Sequence, residues 1–250
     1  MATTLSAVVV EARDVQGLAR FWAEALEWRV VPEDAGEPGR PGAEVVVRPA
    51  GGGGLALVFV ASERPKAGKN RLHLDLAGGT DQAAEVRRLL ALGAVPADIG
   101  QGDVAWDVLA DPEGNEFCVL PLGHADHVDD AVRGLAAICQ DAADPVVQRR
   151  FWTAATGWAV AAEGEWGFVL RSPAGTVPVL VMGPPATPKK GRNRWSLRLA
   201  PSAGADGELA AETARLTAAG AVSAPGGGPL GPLTDPEGNE FGVANPGSAH

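Results

Sequence analysis

A long internal repeat is the feature of this chain that most constrains its fold. The segment Asp111–Phe117 reads Asp-Pro-Glu-Gly-Asn-Glu-Phe, and the same seven residues recur at Asp235–Phe241. Other correspondences keep the same order in both halves: Arg20–Trp22 with Arg150–Trp152, Lys69–Arg71 with Arg192–Arg194, and Leu92–Val95 with Ala219–Val222. The sequence therefore predicts two copies of one domain, residues 1–123 and 128–250, joined by a short polar linker at 124–127.

The order of apolar and turn residues predicts a βαβββ motif at the start of each copy. In the first copy, Leu5–Ala12 is typical of a buried strand, and Asp14 is a suitable N-cap for an amphipathic helix over Val15–Leu26. Three further strands are predicted near Trp28–Val31, Val45–Arg48 and Leu55–Val60. The fold class is therefore α+β.

The same pattern follows a second time within the first copy. A strand is predicted over Arg71–Leu76 and a helix over Asp81–Leu92, and Gly93 is a suitable C-cap for that helix. Strands near Val95, Val104–Leu109 and Glu116–Leu120 complete this motif. Each half thus contains two βαβββ motifs, which makes four in the chain.

Three signatures in fixed order connect the chain to a known superfamily. A helix bearing Phe-Trp, a His-x-Asp strand at His73–Asp75 and the Asp-Pro-Glu-Gly-Asn hairpin resemble the glyoxalases, bleomycin-resistance proteins and extradiol dioxygenases of the vicinal oxygen chelate superfamily. The resemblance covers nearly the whole chain. It implies open, barrel-like sheets with helices outside and a ligand cleft inside.

The resemblance also implies where a metal would be bound. Metal enzymes of this superfamily place ligands on the first, fifth and eighth strands of a unit, and some add one on the fourth. In the first half these positions fall on or beside Ala7, His73 and Cys118, of which only His73 is a good match. We therefore expect no metal cofactor, with zinc or another divalent metal on His73 and Cys118 as the alternative.

The second half departs further from the metal-binding pattern. Its corresponding positions are about Ala137, Ser196 and Gly242, so no usual ligand remains there. If the clefts form between the halves, however, His73 and Cys118 could meet Cys139 or Asp141, and a Cys/His set of this kind suits zinc.

Strand alternation assigns side chains to the cleft. If His73 faces the cleft, Arg71 and Asp75 do too, while the intervening leucines pack under the helices. Glu11 or Asp75 beside His73 could orient the imidazole for work as a general base, so His73, Glu11 and Asp75 are the candidate catalytic residues. The alternative is that Arg71, Asp75 and Glu11 form an ion-pair network that braces the sheet.

Further side chains are predicted to contact a ligand. Arg194, Ser196 and Arg198 share one face of a strand, where the arginines would clamp a carboxylate or phosphate or would simply pair with neighbouring acids. Three tryptophans break the repeat and offer aromatic walls to flat or cationic ligands. The predicted ligand-binding set is Arg71, Trp106, Cys118, Trp166, Arg194, Trp195, Ser196 and Arg198.

Composition excludes several classes of partner. A formal net charge of −10 disfavours nucleic acid and anionic membranes, both of which need an excess of Lys and Arg at the contact. No apolar run is long enough to span a membrane, and the N-terminus lacks a signal-peptide pattern, so a cytoplasmic location is expected. With two cysteines in the chain, a disulfide framework is not expected.

These observations support three functional hypotheses. The first is a metal-independent protein that binds a small molecule in its cleft, for example sequestering a natural product or antibiotic. The second is a glyoxalase-type lyase, isomerase or hydrolase that uses His73, and the third is a non-catalytic interaction protein. Either a monomer or a homodimer is compatible with four motifs in one chain.

Overall fold

The computed structural model describes residues 3–31, 44–52, 54–124, 134–175, 178–201, 208–224 and 233–244. Most of the predicted linker, residues 125–127, lies outside these ranges. Among the described helices, none is long and apolar enough to cross a membrane.

The βαβββ order predicted from the sequence occurs four times in the described residues. The helices are α1 (Val15–Leu26), α2 (Gln82–Ala91), α3 (Pro145–Thr156) and α4 (Glu208–Ala218). The strands of the first half are β1 (Thr4–Ala12), β2 (Arg29–Val31), β3 (Glu44–Arg48), β4 (Ala56–Ala61), β5 (Leu72–Ala77), β6 (Val95–Pro96), β7 (Asp107–Ala110) and β8 (Glu116–Leu120). Those of the second half are β9 (Gly134–Asp141), β10 (Ala159–Gly164), β11 (Gly167–Arg171), β12 (Val179–Gly183), β13 (Trp195–Ala200), β14 (Val222–Ser223), β15 (Leu233–Thr234) and β16 (Glu240–Val243). The α+β class is confirmed.

The strands form two eight-stranded sheets, and each sheet takes strands from both halves of the chain. The central sheet joins the second and third motifs in the order β10-β11-β12-β9-β5-β8-β7-β6. The terminal sheet joins the first and fourth motifs in the order β14-β15-β16-β13-β1-β4-β3-β2. The joins are the antiparallel pairs β5–β9 and β1–β13. Both sheets are open, since each order ends on two edge strands.

Local sequence explains where the first helix of each half begins and ends. The Asp14 carboxylate accepts a hydrogen bond from the Gly17 amide at 2.9 Å and caps α1. Asp144 caps α3 in the same way, with Pro145 in the first turn, where the missing amide hydrogen costs nothing. Gly157 ends α3 with a φ of 68°, a left-handed conformation that glycine adopts without steric penalty.

The helices cover one face of both sheets and share one apolar core with them. The repeated Phe-Trp pairs lie at its centre, where Trp22 packs edge-on against Phe117 at 5.2 Å and Trp152 against Phe241 at 5.5 Å. The predicted helix-facing leucines of β5, Leu72, Leu74 and Leu76, all belong to this core. The residues between them therefore face away from the helices.

Candidate ligand site

The helix-free face of the central sheet, here called the central cleft, is lined by small and apolar side chains. Its two apolar clusters contain no helical residue; they include Cys118, Leu120, Trp106, Val108, Ala137, Cys139, Val169, Val179 and Val181. Ala137, Val169 and Val179 are at most 1% exposed although none of the described helices contributes to their cluster. The sheet therefore curls around this face and shields it from water.

A polar cluster lies in the middle of this apolar face. His73 and Asp75 come from β5, and Cys139 comes from the neighbouring strand β9, directly opposite His73 in the antiparallel register. The Cys139 thiol donates a hydrogen bond to Asp75 Oδ2 at 3.1 Å. His73 Nε2 lies 3.4 Å from Asp75 Oδ1. One possible ligand atom from each of the three residues lies within 4.8 Å of the other two.

The surroundings favour a charged carboxylate and neutral thiols. Burial by itself raises the pKa of Asp75, but the adjacent imidazole and the thiols of Cys139 and Cys118 outweigh it, and the pKa lies below the ordinary value of 3.8. Burial, followed by the charge of Asp75, raises the pKa of both thiols above the usual cysteine range. The cluster is therefore a carboxylate held by an imidazole and two thiols.

Two atoms of the cluster lack a hydrogen-bond partner among the described residues. These are His73 Nδ1 and Asp75 Oδ1, both of which are buried. Buried polar atoms in folded proteins are nearly always paired, so an unpaired buried atom needs an explanation such as a bound group. These two atoms are therefore the candidate contacts for a group bound in the central cleft.

Trp106 lies at one end of the central cleft, and its role in ligand binding stays a prediction. Its indole packs on the cluster that contains Cys118 and Leu120, and Nε1 donates a hydrogen bond to Gln101 Oε1 at 3.2 Å. The imidazole of His124 packs edge-on against the indole at 5.0 Å. A shallow depression opens beside them, lined by Ala77, Gly78, Gly79, Leu120, Pro121, Leu122 and His124. The aromatic pair thus borders an opening.

The helix-free face of the terminal sheet, here called the terminal cleft, has a different polar group. Its apolar lining consists of Ala7, Val9, Val46, Ala56, Val58 and Val60. The Arg198 guanidinium binds both carboxylate oxygens of Glu44, at 2.9 and 2.6 Å. Ser196 lies beside it, opposite Val9. The predicted anion clamp at Arg198 is therefore already paired within the protein.

Glu11 does not lie beside His73, contrary to the prediction that it could orient the imidazole. It belongs to β1 in the terminal sheet, whereas His73 and Asp75 lie in the central sheet. Its carboxylate accepts hydrogen bonds from Ser62 Oγ at 2.9 Å and from the Arg64 guanidinium. The physical reason is the strand pairing across halves, which separates the first motif from the second.

Arg71 and Arg194 lie at equivalent positions and connect the halves. Arg194 donates to Glu113 Oε2 at 2.8 Å, and Arg71 donates to Glu237 Oε2 at 3.0 Å. Each glutamate belongs to an Asp-Pro-Glu-Gly-Asn hairpin of the other half and also accepts two backbone amides before α1 or α3. These ion pairs brace the assembly, and the terminal nitrogens of both guanidinium groups are already hydrogen-bonded within the protein.

The other two predicted aromatic contacts lie elsewhere. Trp195 is 1% exposed and packs edge-on against Trp22 at 5.7 Å in the helix-covered core, so it does not line either cleft. Trp166 is 49% exposed at the turn between β10 and β11. Of the three tryptophans that break the repeat, only Trp106 borders a cleft.

The side chains of the central cleft fit a thiophilic metal better than a hard one. At the positions that usually bind metal, Ala137 offers no donor and Cys118 offers sulfur in place of a carboxylate. The one set of three potential ligands in the described residues is His73, Asp75 and Cys139. Mixed nitrogen, oxygen and sulfur donors suit zinc, whereas magnesium and calcium require oxygen ligands.

The sequence predicted Cys139 as a neighbour of His73 only if the clefts form between the halves of the chain. The structure meets that condition through the β5–β9 pair. Cys118 lies opposite Asp75 in the parallel β5–β8 pair, next to the cluster. His124 and Gln101 gave no signal in the sequence, because neither lies in a repeated segment.

Comparisons with known proteins agree with this architecture. The family model described as Glyoxalase-like domain matches the chain twice, at residues 7–120 and 137–244. Glyoxalase I from Zea mays is similar over 98% of this chain and 92% of its own, with 12% identity and a TM-score of 0.62. At that identity the likeness shows the fold alone.

Two shorter solved structures match about half of the chain. A glyoxalase/bleomycin resistance protein/dioxygenase family enzyme from Burkholderia phytofirmans PsJN covers 47% of this chain and 98% of its own, at 19% identity and a TM-score of 0.36. TnmS3, an antibiotic binding protein from Streptomyces sp. CB03234, covers 47% of this chain and 93% of its own, at 23% identity and a TM-score of 0.33. A search of curated proteins found no significant match.

Proposed function

The chain belongs to the glyoxalase-like domain family, as a tandem member of the vicinal oxygen chelate superfamily, and on that premise we propose that it binds a small organic molecule in the central cleft. The observation that carries the proposal is the polar cluster of His73, Asp75 and Cys139 set in a curled apolar face. Ligand sites typically combine apolar walls with a few polar groups that fix orientation. We propose that this binding sequesters a natural product or antibiotic, which requires no chemical conversion of the bound molecule.

The central cleft is favoured over the terminal cleft because two of its buried polar atoms have no hydrogen-bond partner within the described residues. In the terminal cleft, Arg198 and Glu44 satisfy each other, so a ligand would first have to break a bidentate ion pair. In the central cleft, His73 Nδ1 and Asp75 Oδ1 have no partner among the described residues. A ligand that bears a hydroxyl or amine gains hydrogen bonds there without displacing any.

Trp106 indicates the shape of the ligand. Its indole and the His124 imidazole border the opening, and aromatic faces favour flat or cationic molecules. We therefore expect a planar, largely apolar compound with one hydrogen-bonding group that reaches Asp75.

The experiment uses Nile red, a neutral planar dye, titrated into the full-length protein and followed by fluorescence. Val181 on β12 lies opposite Cys139 in the central sheet, and Val58 on β4 lies opposite Val9 at the equivalent place in the terminal sheet. Val181→Phe fills the central cleft and should weaken binding about tenfold or more, equivalent to about 1.4 kcal/mol. Val58→Phe is the matched control and should leave affinity unchanged.

Two further variants test the role assigned to the aromatic wall. Trp106→Ala should weaken Nile red binding, whereas Trp166→Ala, at the exposed turn, should not. A panel of planar natural products that displace the dye, recovered unchanged by chromatography, would support binding without turnover. Absence of saturable binding, or equal losses for Val181→Phe and Val58→Phe, would contradict the proposal.

Glyoxalase-type catalysis at His73 is the second candidate, and the arrangement of His73 and Asp75 favours it. Asp75 is a charged carboxylate 3.4 Å from the imidazole, which is the pairing that orients a histidine general base. The test is chemical conversion of a displacing compound by the wild-type protein. Conversion that is lost in His73→Ala, while Nile red still binds, would replace sequestration with catalysis.

A further inference from the structure

The polar cluster of the central cleft has the chemistry of a metal site, which goes beyond binding of an organic molecule. We propose that His73, Asp75 and Cys139 together bind one zinc ion per chain. The inference rests on the geometry and donor types of these three side chains, and it holds whether or not the cleft also takes an organic ligand.

The distances are close to those around a bound metal. Zinc bonds of about 2.0–2.3 Å in tetrahedral geometry place neighbouring ligand atoms about 3.5 Å apart. His73 Nε2 and Asp75 Oδ1 are 3.4 Å apart, and Cys139 Sγ and Asp75 Oδ2 are 3.1 Å apart. All three residues lie on adjacent paired strands, so the backbone already holds them in place.

A cation would also satisfy a buried carboxylate oxygen that has no hydrogen-bond partner within the described residues. Nε2 of His73 faces Oδ1 of Asp75, yet Oδ1 makes no hydrogen bond within the described residues. The imidazole nitrogen and the carboxylate oxygen are both metal-ligand atoms. A metal ion between them would bind both and would supply the partner that Oδ1 lacks.

The charges balance when the thiol gives up its proton. Cys139 would exchange its Sγ hydrogen for the metal, so that binding one Zn²⁺ releases one H⁺ to solvent. The thiolate and the Asp75 carboxylate then supply two negative charges against the two positive charges of the ion. Three protein ligands leave one position open for water or a ligand atom.

Cys118 has a supporting place in this arrangement. It lies opposite Asp75 on β8, and its thiol hydrogen-bonds to that carboxylate. Groups that hold a metal-binding carboxylate in this way orient it and tune its affinity. We therefore assign Cys118 a positioning role, distinct from the ligand role of Cys139.

The terminal cleft supplies an internal comparison. Ser196 pairs with Val9 in the terminal sheet as His73 pairs with Cys139 in the central sheet. Arg198, two residues after Ser196, occupies the position of Asp75 and brings a positive charge. This second site cannot attract a cation, so the expected stoichiometry is one metal per chain, not two.

The test is a titration of the full-length protein, stripped of metal with EDTA and dialysed, first with Zn²⁺ by calorimetry and then with Co²⁺ by absorption spectroscopy. The expected results are one Zn²⁺ per chain and a thiolate-to-cobalt charge-transfer band in the near ultraviolet. Cys139→Ser should abolish the band and lower zinc affinity by about a hundredfold or more. Cys118→Ser should keep the band and lower affinity by about tenfold at most.

Glu163→Gln, at an exposed carboxylate that pairs with Arg149, controls for zinc binding at surface acids and should leave both readouts unchanged. Circular dichroism of each variant establishes that it is folded, and a Cys139→Ala variant repeats the test without a hydroxyl. Zinc affinity that is equal in wild type and in folded Cys139→Ser, a band that depends on Cys118 alone, or no zinc binding at all would each overturn the proposal. None of these outcomes depends on Nile red binding, so the two proposals fail separately.

Discussion

The two equivalent core tryptophans should differ in how much they stabilise the fold. Both are fully buried, at 0% exposure. Trp22 Nε1 donates a hydrogen bond to Asp111 Oδ2 at 3.1 Å. In the second half, Gln140 and Gln148 donate to Asp235 instead, and Trp152 Nε1 has no hydrogen-bond partner among the described residues. Among the described contacts, therefore, only the indole of Trp22 is hydrogen-bonded to an Asp-Pro-Glu-Gly-Asn hairpin.

This hydrogen bond determines how far the two replacements should differ in the free energy of unfolding. Tryptophan-to-phenylalanine replacement removes similar packing at both sites. Trp22→Phe also removes a hydrogen bond to a buried carboxylate, which contributes about 1.5–3 kcal/mol, whereas Trp152→Phe removes a donor that is already unsatisfied. We expect Trp22→Phe to lower the free energy of unfolding by about 2 kcal/mol more than Trp152→Phe.

The assay is equilibrium urea unfolding followed by far-ultraviolet circular dichroism, which does not depend on tryptophan fluorescence. A double-mutant cycle with Asp111→Asn separates the hydrogen bond from the packing loss. Equal destabilisation of the two single variants, or a coupling energy near zero between Trp22 and Asp111, would refute the reasoning.

Three other predictions follow from single contacts. Glu113→Gln weakens a charge-assisted bond and two amide contacts, so it should lower the free energy of unfolding by about 2–3 kcal/mol, measured by the same urea assay; a loss below about 0.5 kcal/mol would contradict it. Asp75→Asn removes a charge that raises the pKa of Cys139, so at pH 8 in metal-free protein the thiolate fraction and the iodoacetamide alkylation rate should rise; mass spectrometry measures the rate, and an unchanged rate would count against it. Glu44→Ala releases Arg198, so the variant should bind benzoate by calorimetry where the wild type does not; equal binding by both would show that the ion pair does not block the clamp.

Local features of the sequence predicted the elements well. The helix over Val15–Leu26 was predicted with the bounds that the structure has, because its Asp14 cap and apolar spacing are properties of adjacent residues. The alternation on β5 placed His73 and Asp75 opposite the buried leucines for the same reason. Trp195 was expected at a ligand, although the alternation that placed Ser196 in a cleft puts its neighbour Trp195 on the helix side.

Pairing between the motifs could not be predicted from local features. All four motifs have the same order of elements, so nothing in one strand alone specifies whether β5 pairs with β9 or with β1. That choice decides which side chains share a cleft. It separates Glu11 from His73 and brings Cys139 to it, and both results depend on contacts between distant parts of the chain.

The nested pairing of motifs also sets the order in which the protein can be completed during synthesis. The central sheet needs only the second and third motifs, which are consecutive, whereas the terminal sheet pairs Thr4 with Ala200. Contacts between residues so far apart cannot form until most of the chain has left the ribosome, since domains fold as their sequence emerges. The central sheet, with its cluster at His73, can therefore be complete while the edge of β1 that pairs with β13 is still unpaired.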